Sequence, residues 1–133
     1  RRHLRRAIRA SGGVEVDARA DEYFAVFTDA AGALTAALTV QDAVAAASWP
    51  EDREVALRIG LHAGRPTLTG GAYVGIAVST GARICAMAPG GGILVSRSVR
   101  SALGDDHGLA ELRSIGAQRL RGIPDEIELF EIH

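Results

Sequence analysis

The sequence predicts a mixed domain, an α/β or α+β sandwich, and three observations carry that expectation. Stretches that alternate apolar and polar residues are interleaved with stretches of helical spacing, and glycine-rich turns separate them. The resulting order is helix, hairpin, helix, strand, hairpin, helix, strand, short helix, two strands. No internal repeat, low-complexity linker or composition break interrupts it, so residues 1–133 are expected to form a single domain, long enough to bury a real core.

In chain order, residues 1–11 read as the end of an amphipathic helix, with Leu4 and Ile8 four apart among arginines and Ser11, Gly12 and Gly13 as its stop. Val14, Val16 and Ala18 alternate with Glu15, Asp17 and Arg19; a turn at Ala20, Asp21 and Glu22 then leads into YFAVF, giving a hairpin over 14–27. Thr28 or Asp29 is placed to cap an alanine-rich helix. In it Leu34, Leu38, Gln41 and Val44 outline one face, and Trp49 and Pro50 end it. The acidic loop EDRE follows.

The stretch from Val55 to Ser96 organises the rest. Val55, Leu57, Ile59 and Leu61 alternate with Ala56, Arg58, Gly60 and His62, as in a half-buried strand. A glycine-rich hairpin comes next, then a helix in which Ile76, Thr80, Ile84 and Met87 form an apolar stripe bordered by Ser79 and Arg83, four residues apart. GGGILVS supplies the next strand. A short helix holding Val99, Ala102 and Leu103 ends at Gly104, and two strands around a Gly122-Ile123-Pro124 turn close the chain, the last being IELFEI.

Composition narrows the function classes. An apolar content of 47% with a net charge of −1 fits a soluble globular protein, and without an excess of positive charge nothing points to a nucleic-acid partner. The five arginines of RRHLRRAIR read as a solvated helix end. Cys85 is the only cysteine, so no intrachain disulfide forms, and a reducing cytoplasm is the expected location. No apolar run approaches the roughly 18 residues of a membrane span, so no membrane segment is expected in this chain. Lysine and asparagine are both absent, and a mechanism that needs either side chain cannot be run by this chain alone.

Two motif readings fall away at once. Gly90-Gly91-Gly92 precedes a strand, whereas phosphate-cradling loops precede helix N-termini. Ser96 and Ser98 have no histidine and acid at a convincing spacing for a nucleophilic hydrolase, and His62 reads as structural.

The segments RIGLHAG, YVGIAVSTGARICAMA, GGGILVS and LRGIPDEIELFEI resemble, in the same order, the class III nucleotidyl cyclase catalytic domain in its short bacterial form. The resemblance implies an α+β, ferredoxin-like palm, a mixed and mainly antiparallel sheet with helices packed on it. It also implies a first strand, central in the family's sheet and carrying one metal-binding carboxylate, that this chain starts too late to contain, so that either the chain is a fragment or another chain fills the gap. Cyclisation has the ribose 3′ hydroxyl attack the α-phosphorus and expel pyrophosphate, with Mg²⁺ or Mn²⁺ ions held by paired carboxylates as cofactor.

By that resemblance Asp21 takes the second metal position, in Ala20-Asp21-Glu22 where the family has Gly-Asp-Gly. Asp17 and Ala72 take the two base-recognition positions, where adenylate-specific members have a Lys and an Asp. Ser79 takes the place of the ribose-orienting Asn. Arg83 matches the Arg that neutralises charge on the α-phosphate, a task to which guanidinium geometry is suited. Its alternative is a stem packed beside the apolar stripe and a head paired with an acid. Arg121 stands where the family has a phosphate-binding lysine, or else is an exposed strand arginine.

Three functions follow as expectations. The chain is a cyclase homology domain, catalytically impaired alone, that dimerises with itself or another cyclase domain and contributes Arg83 and Arg121 to a shared site. Alternatively it is an active adenylate or guanylate cyclase acting on a purine nucleoside triphosphate with non-standard recognition residues. Or it is a non-enzymatic ligand-binding or interaction module of the same fold.

Overall fold

The structure, a computed structural model, describes residues 6–7, 9–19, 22–46, 56–65, 67–69, 72–105 and 107–132. After helical residues at 6, 7, 9 and 10 come β1 (Gly13–Arg19), β2 (Glu22–Phe27), α1 (Ala30–Ala46), β3 (Ile59–Leu61), β4 (Thr67–Thr69), β5 (Ala72–Val74), α2 (Ile76–Met87), β6 (Ile93–Ser96), α3 (Arg97–Leu103), β7 (Leu112–Gln118) and β8 (Ile127–Ile132). The predicted order of elements is the observed one. The chain divides into two compact units, Arg1–Leu57 and Arg58–His133.

In the first unit β1 and β2 form the predicted antiparallel hairpin, with a bulge between Glu15 and Asp17. Of the two candidate caps of α1, Asp29 does the work: its Oδ1 accepts from the Gly32 N–H at 2.6 Å, satisfying a donor that the helix itself leaves unpaired. The buried face of α1 is Leu34, Ala36, Ala37 and Val40, whereas Leu38, Gln41 and Val44 of the predicted face are only half-buried. Gln41 also has a polar task there, its Nε2 donating to the Leu57 carbonyl at 3.0 Å. The described part of the helix runs to Ala46; Leu4, Ile8, Trp49, Pro50 and the EDRE loop lie outside the described residues.

The second unit is built on a four-stranded sheet in the order β3-β6-β8-β7, with β3 and β6 parallel and the other pairs antiparallel. β3 is shorter than its alternation predicts, covering only Ile59–Leu61. Its described ladder partner, β6, begins at Ile93 just past the Gly90–Gly92 turn, so among the described residues Ala56, Leu57 and Arg58 lie beyond the ladder, and Val55 lies outside the described residues. β4 and β5 form the predicted glycine-rich hairpin.

Register fixes which side chains share a face. Gly60 lies opposite Leu94, and Ser96 opposite Leu129, placing these on the side that α2 covers. There Ile84 and Ala88 pack with Leu94, Leu120, Ile123 and Leu129 into the core, with Ile115 and Ile127 at its border. Burying such side chains contributes about 1.5–3 kcal/mol each for the larger ones. Gly60 permits the contact: a Cβ there would fall 2.4 Å from the Cys85 nitrogen and 2.7 Å from its Cα. The side of β3 that alternation marked as polar is thus the side pressed against a helix.

The apolar stripe of α2 is narrower than predicted. Thr80 and Ile84 are buried, but Ile76 is 58% exposed and Met87 43% exposed. Helical spacing puts these two residues nearer the Ser79–Arg83 side of the helix than the buried Ile84 and Ala88. α3 packs against β6 and β8, its Val99 is buried, and Arg97 forms an ion pair with Glu128. In the closing β7–β8 pair, Arg113 faces and ion-pairs with Glu131, and a bulge is absorbed at Gly116, whose φ of 86° suits a residue without Cβ.

Candidate functional site

Ile76, Ser79, Arg83 and Met87 are spaced so that all four point outward along one stripe of α2, and all four are exposed. The two central members are the candidate ribose and phosphate contacts. Neither the Ser79 hydroxyl nor the Arg83 guanidinium has a hydrogen bond or ion pair among the described residues, so the alternative reading of Arg83, an acid-paired head, finds no described partner. Arg121, exposed just past β7, is likewise unpaired among the described residues. A guanidinium held open on a helix surface can take a phosphate oxygen pair in a bidentate contact.

The remaining candidates are distributed differently. Asp17 lies in β1 opposite Phe24, and Ala72 opens β5 opposite Thr69, with side chains outside the described set. Asp21 lies outside the described residues altogether. Asp17 and Asp21 belong to the first unit, and Ala72, Ser79, Arg83 and Arg121 to the second. Among the described residues no three of His, Cys, Asp and Glu come together as metal ligands.

One cluster went unread in the sequence. His62 Nδ1 lies 2.8 Å from Ser96 Oγ, which lies 2.9 Å from Ser98 Oγ. Ser98 Oγ in turn donates to the Ala63 carbonyl at 2.8 Å and accepts from the Ala63 N–H at 3.2 Å. Burial holds the His62 pKa below its ordinary value. This is not a nucleophilic dyad: Ser96 is wholly buried, and the exposed Ser98 commits its proton to a backbone carbonyl. The residues are 34 and 36 positions apart, so no short motif marks them. The available signal was topological. A strand, helix, strand order over 59–96 predicts a parallel pair whose C-terminal ends adjoin, and His62 and Ser96 both stand at such ends.

The fold and site together define an α+β palm with an outward-facing, charge-bearing helix. An adenylate cyclase of Mycosarcoma maydis is 31% identical over 121 residues, covering 72% of this chain. The chain spans only 5% of that protein's length. An adenylate/guanylate cyclase/hydrolase from Silicibacter pomeroyi superposes with a TM-score of 0.86 at 29% identity, over 97% of this chain and 77% of that one. The guanylate cyclase domain of RhGC from Catenaria anguillulae, solved in complex with GTP, superposes with a TM-score of 0.82 over 98% of this chain and 77% of that one; its 18% identity speaks to the fold alone. No protein-family profile matches the chain. The chain is a class III adenylate/guanylate cyclase homology domain. Among its described residues no helix is long and apolar enough to cross a membrane.

Proposed function

We infer that this domain is a dimerising or regulatory subunit of a cyclase assembly, catalytically impaired alone, that offers Ser79 and Arg83 to a purine nucleoside triphosphate held jointly with a second cyclase domain. The observation that carries this reading is the outward stripe of α2, where Arg83 and Ser79, unpaired among the described residues, sit between exposed Ile76 and Met87. Apolar ends around a polar centre suit a face that closes on a partner while leaving its middle to a ligand. Impairment follows from the recognition positions: Asp17 carries the wrong charge for the role of a lysine, and Ala72 has no hydrogen-bonding group. The lone Cys85 favours a reducing cytoplasm for this assembly.

Within such a site Arg83 would neutralise charge that builds on the α-phosphate as the 3′ hydroxyl attacks and pyrophosphate departs. Ser79 would hydrogen-bond the ribose, and Arg121 would hold the terminal phosphates. A divalent ion, if bound through Asp21, would supply activation of the attacking hydroxyl.

The test is incubation of the chain with ATP or GTP and Mn²⁺, alone and mixed with an intact cyclase domain whose own arginine at the matching position has been removed. Product only in the mixture, lost again with Arg83→Ala, is the expected result. Cyclic nucleotide from the chain alone would replace this reading with an active homodimeric cyclase. No triphosphate binding by calorimetry would leave an interaction module of the same fold.

A further inference from the structure

The hydrogen bonds around His62 can be given directions by counting protons. A carbonyl only accepts, so the single proton of Ser98 Oγ goes to the Ala63 carbonyl, 2.8 Å away. Ser98 Oγ must then accept from Ser96 Oγ, which spends the only proton of Ser96. Ser96 Oγ is left as an acceptor toward the ring, and His62 must donate from Nδ1. The chain of donors therefore runs one way, from the imidazole to the backbone of the residue that follows it, and fixes the Nδ1–H tautomer.

This closed run ties the end of β3 to the end of β6 and to the first turn of α3. It also reaches α2. A Cβ on Gly64 would fall 2.8 Å from the Ala77 Cβ, so the loop held by Ala63 is pressed on the first turn of that helix. A Cβ on Gly81 would lie 3.9 Å from the His62 Cβ, which puts the histidine stem against the helix midway between positions 79 and 83, on the side away from their outward stripe.

We propose that His62, Ser96 and Ser98 form a clasp that seats the first turns of α2 on the sheet, which makes His62 a positioning residue for Ser79 and Arg83. The positioning role rests on the reading of those two side chains given above; the clasp itself does not.

Two measurements test it. In ¹⁵N-resolved spectra of the histidine side chains at neutral pH, His62 shows a protonated Nδ1 and a bare Nε2; the opposite tautomer overturns the clasp. In hydrogen exchange, Ser98→Ala speeds the amides of Ser79 and Gly81 about fivefold or more, the loss of one hydrogen bond, and leaves β7 and β8 unchanged. Ser98→Thr, which keeps the hydroxyl, restores the natural rate. Unchanged exchange in α2, or equal acceleration throughout the second unit, overturns it. Calorimetry with GTP or ATP and Mn²⁺ then addresses the positioning role: Ser98→Ala weakens binding about fivefold or more if the natural chain binds. Equal affinity of the two overturns positioning. Absence of binding by the natural chain overturns the reading of Ser79 and Arg83 instead, and positioning with it, while the clasp still stands or falls on exchange.

Discussion

Gly60 of β3 and Cys85 of α2 meet backbone to backbone: a Cβ built on the glycine would lie 2.4 Å from the cysteine nitrogen. Strand and helix are as close there as two main chains pack, and the Cys85 Sγ adds a hydrogen bond to the Arg58 carbonyl at 3.2 Å. The outward stripe of α2 takes its height above the sheet from this contact.

Gly60→Ala should therefore destabilise the domain by about 1–3 kcal/mol, the usual cost of overpacking, since the obstacle is rigid main chain. Chemical denaturation of the two proteins measures it. A midpoint equal to that of the natural chain would mean that α2 does not sit where the register places it.

Gly81→Ala should act in the opposite direction. A Cβ there meets only the His62 Cβ, at ordinary contact distance of 3.9 Å, and the position lies in a helix interior. Replacing glycine by alanine in such a place contributes about 0.5–1 kcal/mol. Urea melts should show a higher midpoint with an unchanged slope.

Burial lowers the His62 pKa from its ordinary 6.5, which links stability to pH. The folded state gives up the proton more readily than the unfolded chain. Between the lowered folded value and 6.5 the unfolded chain binds more protons, so the His62 contribution is complete above 6.5 and is lost as pH falls through the folded value. Because Nδ1 donates in both charge states, protonation costs desolvation and leaves the hydrogen bond to Ser96 in place. Melting temperatures of the natural chain should decline faster on acidification than those of His62→Asn, which keeps a donor but does not titrate. Parallel profiles would contradict this.

Glu128 should remain ionised at unusually low pH. A hydrogen bond from Ser114, 2.6 Å long, is the largest cause, the hydrogen bond from Arg97 the next, and the Arg97 charge the smallest. Following the Glu128 carboxyl carbon by NMR, Ser114→Ala and Arg97→Ala should each raise its midpoint. A midpoint unmoved by either change would remove that residue from the causes.

Arg83→Ala should leave stability within about 0.5 kcal/mol of the natural chain, as expected for an exposed side chain that touches no special feature. If the domain takes part in a triphosphate site, the same change should weaken nucleotide binding about tenfold or more, the usual consequence of losing a charge-assisted contact. Paired melts and titrations read both quantities, and a stability loss with unaltered affinity would make Arg83 a packing residue.

The sequence by itself determined the order of elements, the hairpins, the glycine stop at Gly104 and the family, because each follows from local spacing, turn chemistry or contiguous motifs. It also brought Ser79 and Arg83 onto one helix face, since helical geometry fixes residues four apart. Only the tertiary structure decided which residues of α1 and α2 are buried, that β3 is a short strand with Gly60 against a helix, and that His62 meets Ser96 and Ser98. Those outcomes within the second unit depend on the parallel pairing of β3 with β6 and on how closely α2 approaches that pair. Neither quantity is written in the spacing of any one segment, because each is settled where segments distant in the chain come into contact.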